Sequence, residues 1–166
     1  MAAGNTYVAL ATNTLTSNTA TVTFSSISGA YTDLVLVANG TSSSGSGEVV
    51  IQFNSDTGAN YSSTFIYGTG TAATSGRATS STSIFVERNA TWRTTTRPMF
   101  RSHIMNYANT TTYKTVISRA DSGSESVDAV VGLWRSTAAI TSIDILGNGA
   151  TFATGSTFNL YGIAAA

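Results

Sequence analysis

At 166 residues with 42% hydrophobic side chains, the chain is long enough for one domain with a real core and tight for two. Charged residues make up only 10%, and eight Lys plus Arg balance eight Asp plus Glu, so no clustered basic surface for nucleic acid is expected. Cysteine is absent, which excludes disulfides, thiolate metal sites and a Cys nucleophile together, and no apolar run approaches membrane-spanning length. The opening MAAGNTYVALATNT has neither a basic start nor a long apolar region, so no Sec signal is expected. Residues 1–19 carry only Tyr7, Val8, Leu10 and Leu15 as apolar anchors. They are expected to form a short extended N-terminal arm that orders against a neighbour, ahead of a β-sandwich domain over 20–166.

From residue 20 onward the hydrophobic pattern has period two and not the helical period. ATVTFSSI (20–27), DLVLVAN (33–39), EVVIQFN (48–54), SSTFIYG (62–68), SIFVER (83–88) and FRSHIMNY (100–107) read as strands. YKTVISRA (113–120), DAVVGLW (128–134), ITSIDIL (140–146) and STFNLYGI (156–163) complete the set, with YVALAT (7–12) as one more. Glycine-bearing turns punctuate them, among them DTG at 56–58, DSGS at 121–124 and GNG at 147–149. Pro98 opens a strand, where its missing N–H is tolerated. This spacing predicts an all-β fold, a jelly-roll-like two-sheet β-sandwich first and an immunoglobulin-like sandwich second. Residues 69–82 and 89–97 are expected as long loops, the second Arg-rich and bearing Trp92.

Each motif that could carry chemistry has a plainer reading. Asp56-Thr57-Gly58 has the form of an aspartic-protease signature, but Asn54 and Ser55 precede it where a hydrophobic strand is needed, so a hairpin turn closing EVVIQFN onto YSSTFIYG is expected. Asn54, Asp56, Gly58 and Asn60 have the spacing of a calcium loop, yet Phe65 stands where the closing bidentate Glu belongs. His103 is the single histidine, with Phe100, Ser102 and Ile104 on the opposite face; no G-x-S-x-G elbow accompanies it, and it reads as a packed strand residue. A glycosidase needs only two carboxylates, and eight are present, although Glu48, Glu87, Asp128 and Asp144 each also read as strand-edge or turn partners. Trp134 and Tyr161 read as core or inter-sheet anchors. No catalytic residue, metal ligand or cofactor is assigned.

Seven of the eight cations are Arg, and Arg77, Arg88, Arg93, Arg97 and Arg101 fall in the central third. Most such residues are solvated or salt-bridged, but Arg, Trp and Tyr are also the types that form interfaces. Tyr7, Leu10 and Leu15 on the arm, with Arg88, Trp92, Arg93 and Arg97, are therefore the candidate interface residues.

Four phrases point to a family. TVTFSSISGAYTDLVLV (21–37), IQFNSDTGANYSSTFIYG (51–68), GLWRSTAAITSIDI (132–145) and FATGSTFNLYGI (152–163) resemble, in order, phrases of small structural proteins encoded by tailed bacteriophages. Ser28 stands where that family has a proline and Asp33 where it has a histidine. The resemblance implies a virion component that brings no catalytic residues. One domain with a short arm and no fibrous shaft points to a capsid decoration (cement) protein on the outer surface of the head. Such proteins commonly resemble β-sandwich trimers, so the implied partners are the major capsid protein and the chain's own copies in a homotrimer. Synthesis in the host bacterial cytoplasm is implied, and neither nucleic acid nor membrane is expected as a partner. The alternative is a short tail fibre or baseplate tip binding host glycans.

Overall fold

Alternation does most of the folding work. Lys114–Ser122 and Ser126–Trp134 bury every second side chain, as strands with one face on a core must. The computed structural model describes residues 6–164, and these form an all-β, jelly-roll-like β-sandwich. In chain order the strands are β1 Tyr7–Thr14, β2 Thr21–Phe24, β3 Asp33–Asn39, β4 Ser42–Ser44 and β5 Ser46–Phe53. Then come β6 Tyr61–Gly68, β7 Ala73–Ser81, β8 Ile84–Phe85, β9 Trp92–Arg93 and β10 Met99–Met105. The last are β11 Lys114–Ser122, β12 Ser126–Trp134, β13 Ile143–Asn148, β14 Thr151–Phe152 and β15 Thr157–Ile163.

Eight strands make the larger sheet, in the antiparallel order β1-β15-β3-β10-β11-β12-β6-β7. The smaller sheet runs β2-β13-β5-β8, with β9 also pairing β5, and β14 and β4 form a separate ribbon. Leu34, Leu36, Phe100, Ile104, Val116 and Leu160 of the larger sheet close onto Val22, Ile51, Phe53, Ile143 and Ile145 of the smaller one in a single buried cluster. Aromatic plugs sit at both ends of β5. At one, Trp92 packs on Phe152, Phe158 and Phe100 with ring centroids 5.0, 5.8 and 6.4 Å away. At the other, Trp134 stacks on Tyr61 at 6.2 Å and meets Phe53 at 5.6 Å. The sheets approach so closely at β8 that a Cβ on Gly132 would lie 2.3 Å from Cγ2 of Ile84, which is why that position of β12 has no side chain.

Three expectations change on this scaffold. The strand expected at 7–12 is present, but it belongs to the sandwich and not to an arm: Tyr7–Thr14 pairs with β15 at the edge of the larger sheet, and Leu15 is buried with its N–H on the Ser156 carbonyl at 2.9 Å. The domain therefore begins at β1 and not at residue 20; residues 1–5 of the expected arm, and 165–166 at the other end, lie outside the described residues. Residues 69–82 are not a loop throughout, because Ala73–Ser81 is the opposite edge strand of the same sheet. The DTG turn does not close a hairpin: β5 and β6 belong to different sheets, so it is a corner that carries the chain across the sandwich.

Candidate interaction face

The inward residues of β10, β11 and β12 are fixed by the core, so the outward ones follow from register. Arg101 stands opposite Arg119, His103 opposite Ile117, Ile117 opposite Val131, and Ala129 opposite Ile66. Directly opposite residues of an antiparallel pair have Cβ atoms about 5 Å apart, so these side chains form continuous rows across the sheet. Val127, Ile66, Val131 and Ile117 are 64, 53, 49 and 46% exposed, a cluster of aliphatic groups left in water on one face. Beside it, Arg101, His103, Ile117 and Arg119 line a cleft of about 170 Å³. Ile66, Val127, Ala129 and Arg119 contribute to a neighbouring apolar hollow of about 300 Å³.

Two side chains brace the cleft. His103 Nε2 lies 2.8 Å from Oδ2 of Asp33, whose Oδ1 accepts the Asn106 N–H at 2.7 Å. The Arg101 guanidinium donates from Nη2 to the Tyr7 hydroxyl at 2.7 Å and stands 6.0 Å from that ring. Tyr7 in turn meets Tyr161 edge-on at 6.4 Å. His103 is thus not a packed strand residue but part of the outward face. Arg119 has no hydrogen-bond or ion-pair partner among the described residues.

The candidate interface residues separate. Tyr7 is exposed and reaches this face, whereas Leu10 is partly buried against the core and Leu15 is within it. Trp92 is fully buried as an end plug, so it serves packing and not an interface. The three arginines around it are engaged locally. Arg88 pairs with Glu48 and lies over the rings of Phe85 and Phe65 at 4.8 and 5.4 Å. Arg93 pairs with Glu125 at 3.1 Å, and Arg97 donates to Asn39 Oδ1 at 2.6 Å and to the Gly155 carbonyl at 3.1 Å. Arg135 and Lys114 are likewise taken up by carbonyls, including those of Ala59 at 2.8 Å and Thr112 at 2.7 Å. Arg77, Arg101 and Arg119 remain, and register puts all three on the outward face of the larger sheet, because Arg77 lies opposite Thr64 and Thr64 opposite Val131. Sequence alone pointed to the central arginines but missed Arg119, since only strand pairing brings it beside Arg101.

The carboxylates are committed elsewhere. Asp56 accepts from Gly58 N–H at 2.8 Å, Asn60 Nδ2 at 3.0 Å and Trp134 Nε1 at 2.8 Å. The Trp134 bond foremost, with those from Asn60 and Gly58, holds its carboxyl below the usual value of 3.8. Asn54 turns away to Thr141, Ser142 and Ala139, so the oxygens of the supposed calcium loop diverge onto protein donors. Asp144 accepts from Thr23 and Ser55. Glu87 and Asp128 do come together, but both are closed from solvent. Asp128 Oδ2 accepts three consecutive N–H groups, from Arg88, Asn89 and Ala90, at 2.6, 2.5 and 3.1 Å. Among the described residues no three His, Asp or Glu side chains are placed to hold a metal ion together. Asp121 is the exposed carboxylate on the outward face, and it has no partner among the described residues.

No protein-family model and no curated protein matches the chain. Among solved structures, a galectin of Caenorhabditis elegans is 8% identical over 90% of this chain and 94% of its own, with a TM-score of 0.32. An alginate lyase of Aplysia kurodai is 8% identical over 82% of this chain and 69% of its own, with a TM-score of 0.29. A protein of unknown function from Shewanella oneidensis is 10% identical over 100% and 82%, with a TM-score of 0.21. These likenesses are too distant to carry an argument about function.

Proposed function

We propose that the chain is a structural component of a tailed-bacteriophage particle, a head decoration protein that works by surface contact and not by catalysis. The observation that carries this reading is the outward face of the larger sheet, where aliphatic side chains of Ile66, Ile117, Val127 and Val131 stand 46–64% exposed on three neighbouring strands. Apolar groups gathered in this way favour burial against a second protein surface. The four phage-like phrases of the sequence support the virion as the setting. The partners on this reading are the major capsid protein and two further copies of the chain.

The test is to image particles assembled with and without the protein and to determine its copy number. Regular density on the head surface that disappears in its absence is the expected result. Density at the tail tip in low copy, with binding to host glycans, would replace decoration with host recognition. Absence from purified particles would overturn both.

A further inference from the structure

We propose that Arg101 and Arg119 form a docking site for carboxylate side chains on an acidic, aliphatic-flanked surface of a different protein. This rests on the assembly reading above and gives the chemistry of the partner surface. Like charges directly opposite on neighbouring strands repel, and among the described residues neither guanidinium is ion-paired, Asp121 on the same face forming no ion pair with either. The Tyr7 hydroxyl holds Arg101 in place, so one half of the site is oriented before anything binds. Paired guanidiniums present forked donors that match carboxylates geometrically.

The surroundings select the kind of carboxylate. The arginine row continues through Ala129 to Ile66, and the adjacent row holds His103, Ile117 and Val131, so aliphatic groups border Arg119 while the aromatic rings, Tyr7 on Arg101 and Tyr67 beside Ile66, stand at the margins. Branched aliphatic groups pack well against protein side chains, and here they border the Arg119 half of the site. A second copy fits poorly. Face to face, it would bring three more guanidiniums against these three with only one Asp121 on each side. Among the described residues, the carboxylates on the other faces of a second copy are already engaged by its own residues. The occupant is therefore an acidic surface on another protein.

The test titrates the full chain with three probes, following backbone and arginine side-chain resonances. The probes are a short capped peptide alternating leucine and glutamate, the same peptide with glutamine for glutamate, and an oligo-uronate. Expected is binding of the Leu/Glu peptide with shifts centred on β10–β12, weakened about tenfold by Arg119→Gln or Arg101→Gln and, less strongly, by Ile117→Thr. The glutamine peptide binds correspondingly more weakly. The proposal is overturned if no probe binds at millimolar concentration, if the arginine variants bind the peptide as well as wild type, or if the oligo-uronate binds as tightly as the peptide. Co-sedimentation of the same variants with undecorated heads separates the two readings. Heads that retain Arg119→Gln as well as wild type refute this site and leave decoration standing. Peptide binding without head binding refutes decoration and leaves this site standing.

Discussion

Glu87 gives the most sharply defined perturbation. Its carboxyl lies in the connection after β8 and is wholly closed from solvent. Oε1 accepts the Val49 N–H at 2.6 Å, while Oε2 is buried without a partner. Asp128, equally buried, has its charge met by three backbone donors and by the Ser126 hydroxyl at 2.9 Å. Glu87 lacks any such set. Burial is the main cause that pushes its carboxyl up from 4.5 to about 8; the Val49 hydrogen bond pulls the other way, and the Asp128 charge adds to the rise.

A carboxyl whose folded value is raised stabilises the fold fully below its unfolded value and loses that contribution as pH rises through the folded one. The loss runs from about pH 4.5 to about pH 8, with a slope of about 1.4 kcal/mol per pH unit. By pH 7 it amounts to about 3 kcal/mol, a large part of the stability of an ordinary domain. Glu87→Gln keeps an acceptor for Val49 and removes the titration. Urea unfolding of both proteins at pH 5, 6, 7 and 8 checks this. The free-energy difference between them should move steadily in favour of the glutamine variant as pH rises, by about 3 kcal/mol between pH 5 and 8, because other titrating groups cancel in the comparison. A difference that stays constant across that range would refute the reasoning.

The remaining predictions concern the corner, the sheet contact and the first strand. Asp56→Ala leaves the buried Trp134 indole N–H and the Gly58 amide without their acceptor and should cost about 2 kcal/mol in chemical unfolding. Because the Asp56 carboxyl lies below its usual value, its contribution is present above about pH 4 and fades as pH falls, so the penalty of the substitution should shrink on acidification. Gly132→Ala sets a Cβ 2.3 Å from Ile84 and should cost about 1–3 kcal/mol. In an Ile84→Ala background that added cost should largely vanish, and an unchanged penalty there would mean Ile84 is not what Gly132 accommodates. Deleting residues 2–15 removes β1 and the buried Leu15, whose burial alone is worth about 2 kcal/mol, so the truncated domain should melt well below the full chain. Identical melting would return the segment to the status of a dispensable arm.

What could be read in the sequence follows from which strands have one dry face. β10, β11, β12 and β15 bury alternate side chains, so their composition had to alternate, while β3 buries Leu34, Val35 and Leu36 in a row and reads as an apolar run; the boundaries of all five are legible to within a few residues. β7, ATSGRATSS, carries no such signature because it is an edge strand with little burial on either side; Gly76 sits where a Cβ would lie 2.8 Å from the Phe65 ring. β1 is legible as a strand at 7–12, but its place within the sandwich is not. Its side chains are only partly buried, and what ties it down is backbone pairing with β15 from the far end of the chain, which composition does not record. Trp92 reads as an interface anchor in the sequence because it stands among arginines, both being interface-forming types, yet its neighbours in space are Phe100, Phe152 and Phe158.

The outward face shows the same limit in its strongest form. Arg101 and Arg119 are separated by a turn and much of two strands, and each alone is an ordinary polar position on an alternating strand. Only the register, set by Phe100 and Ala120 facing inward together, makes them direct neighbours. A shift of one residue in either strand would move its arginine to the core face, where a guanidinium could not be accommodated, so the buried pattern that fixes the fold also fixes the juxtaposition. The like-charged pair is thus a consequence of correct pairing that the fold tolerates without a direct ion pair, and a tolerated cost on an exposed, aliphatic-lined face is what an acidic partner would relieve on binding.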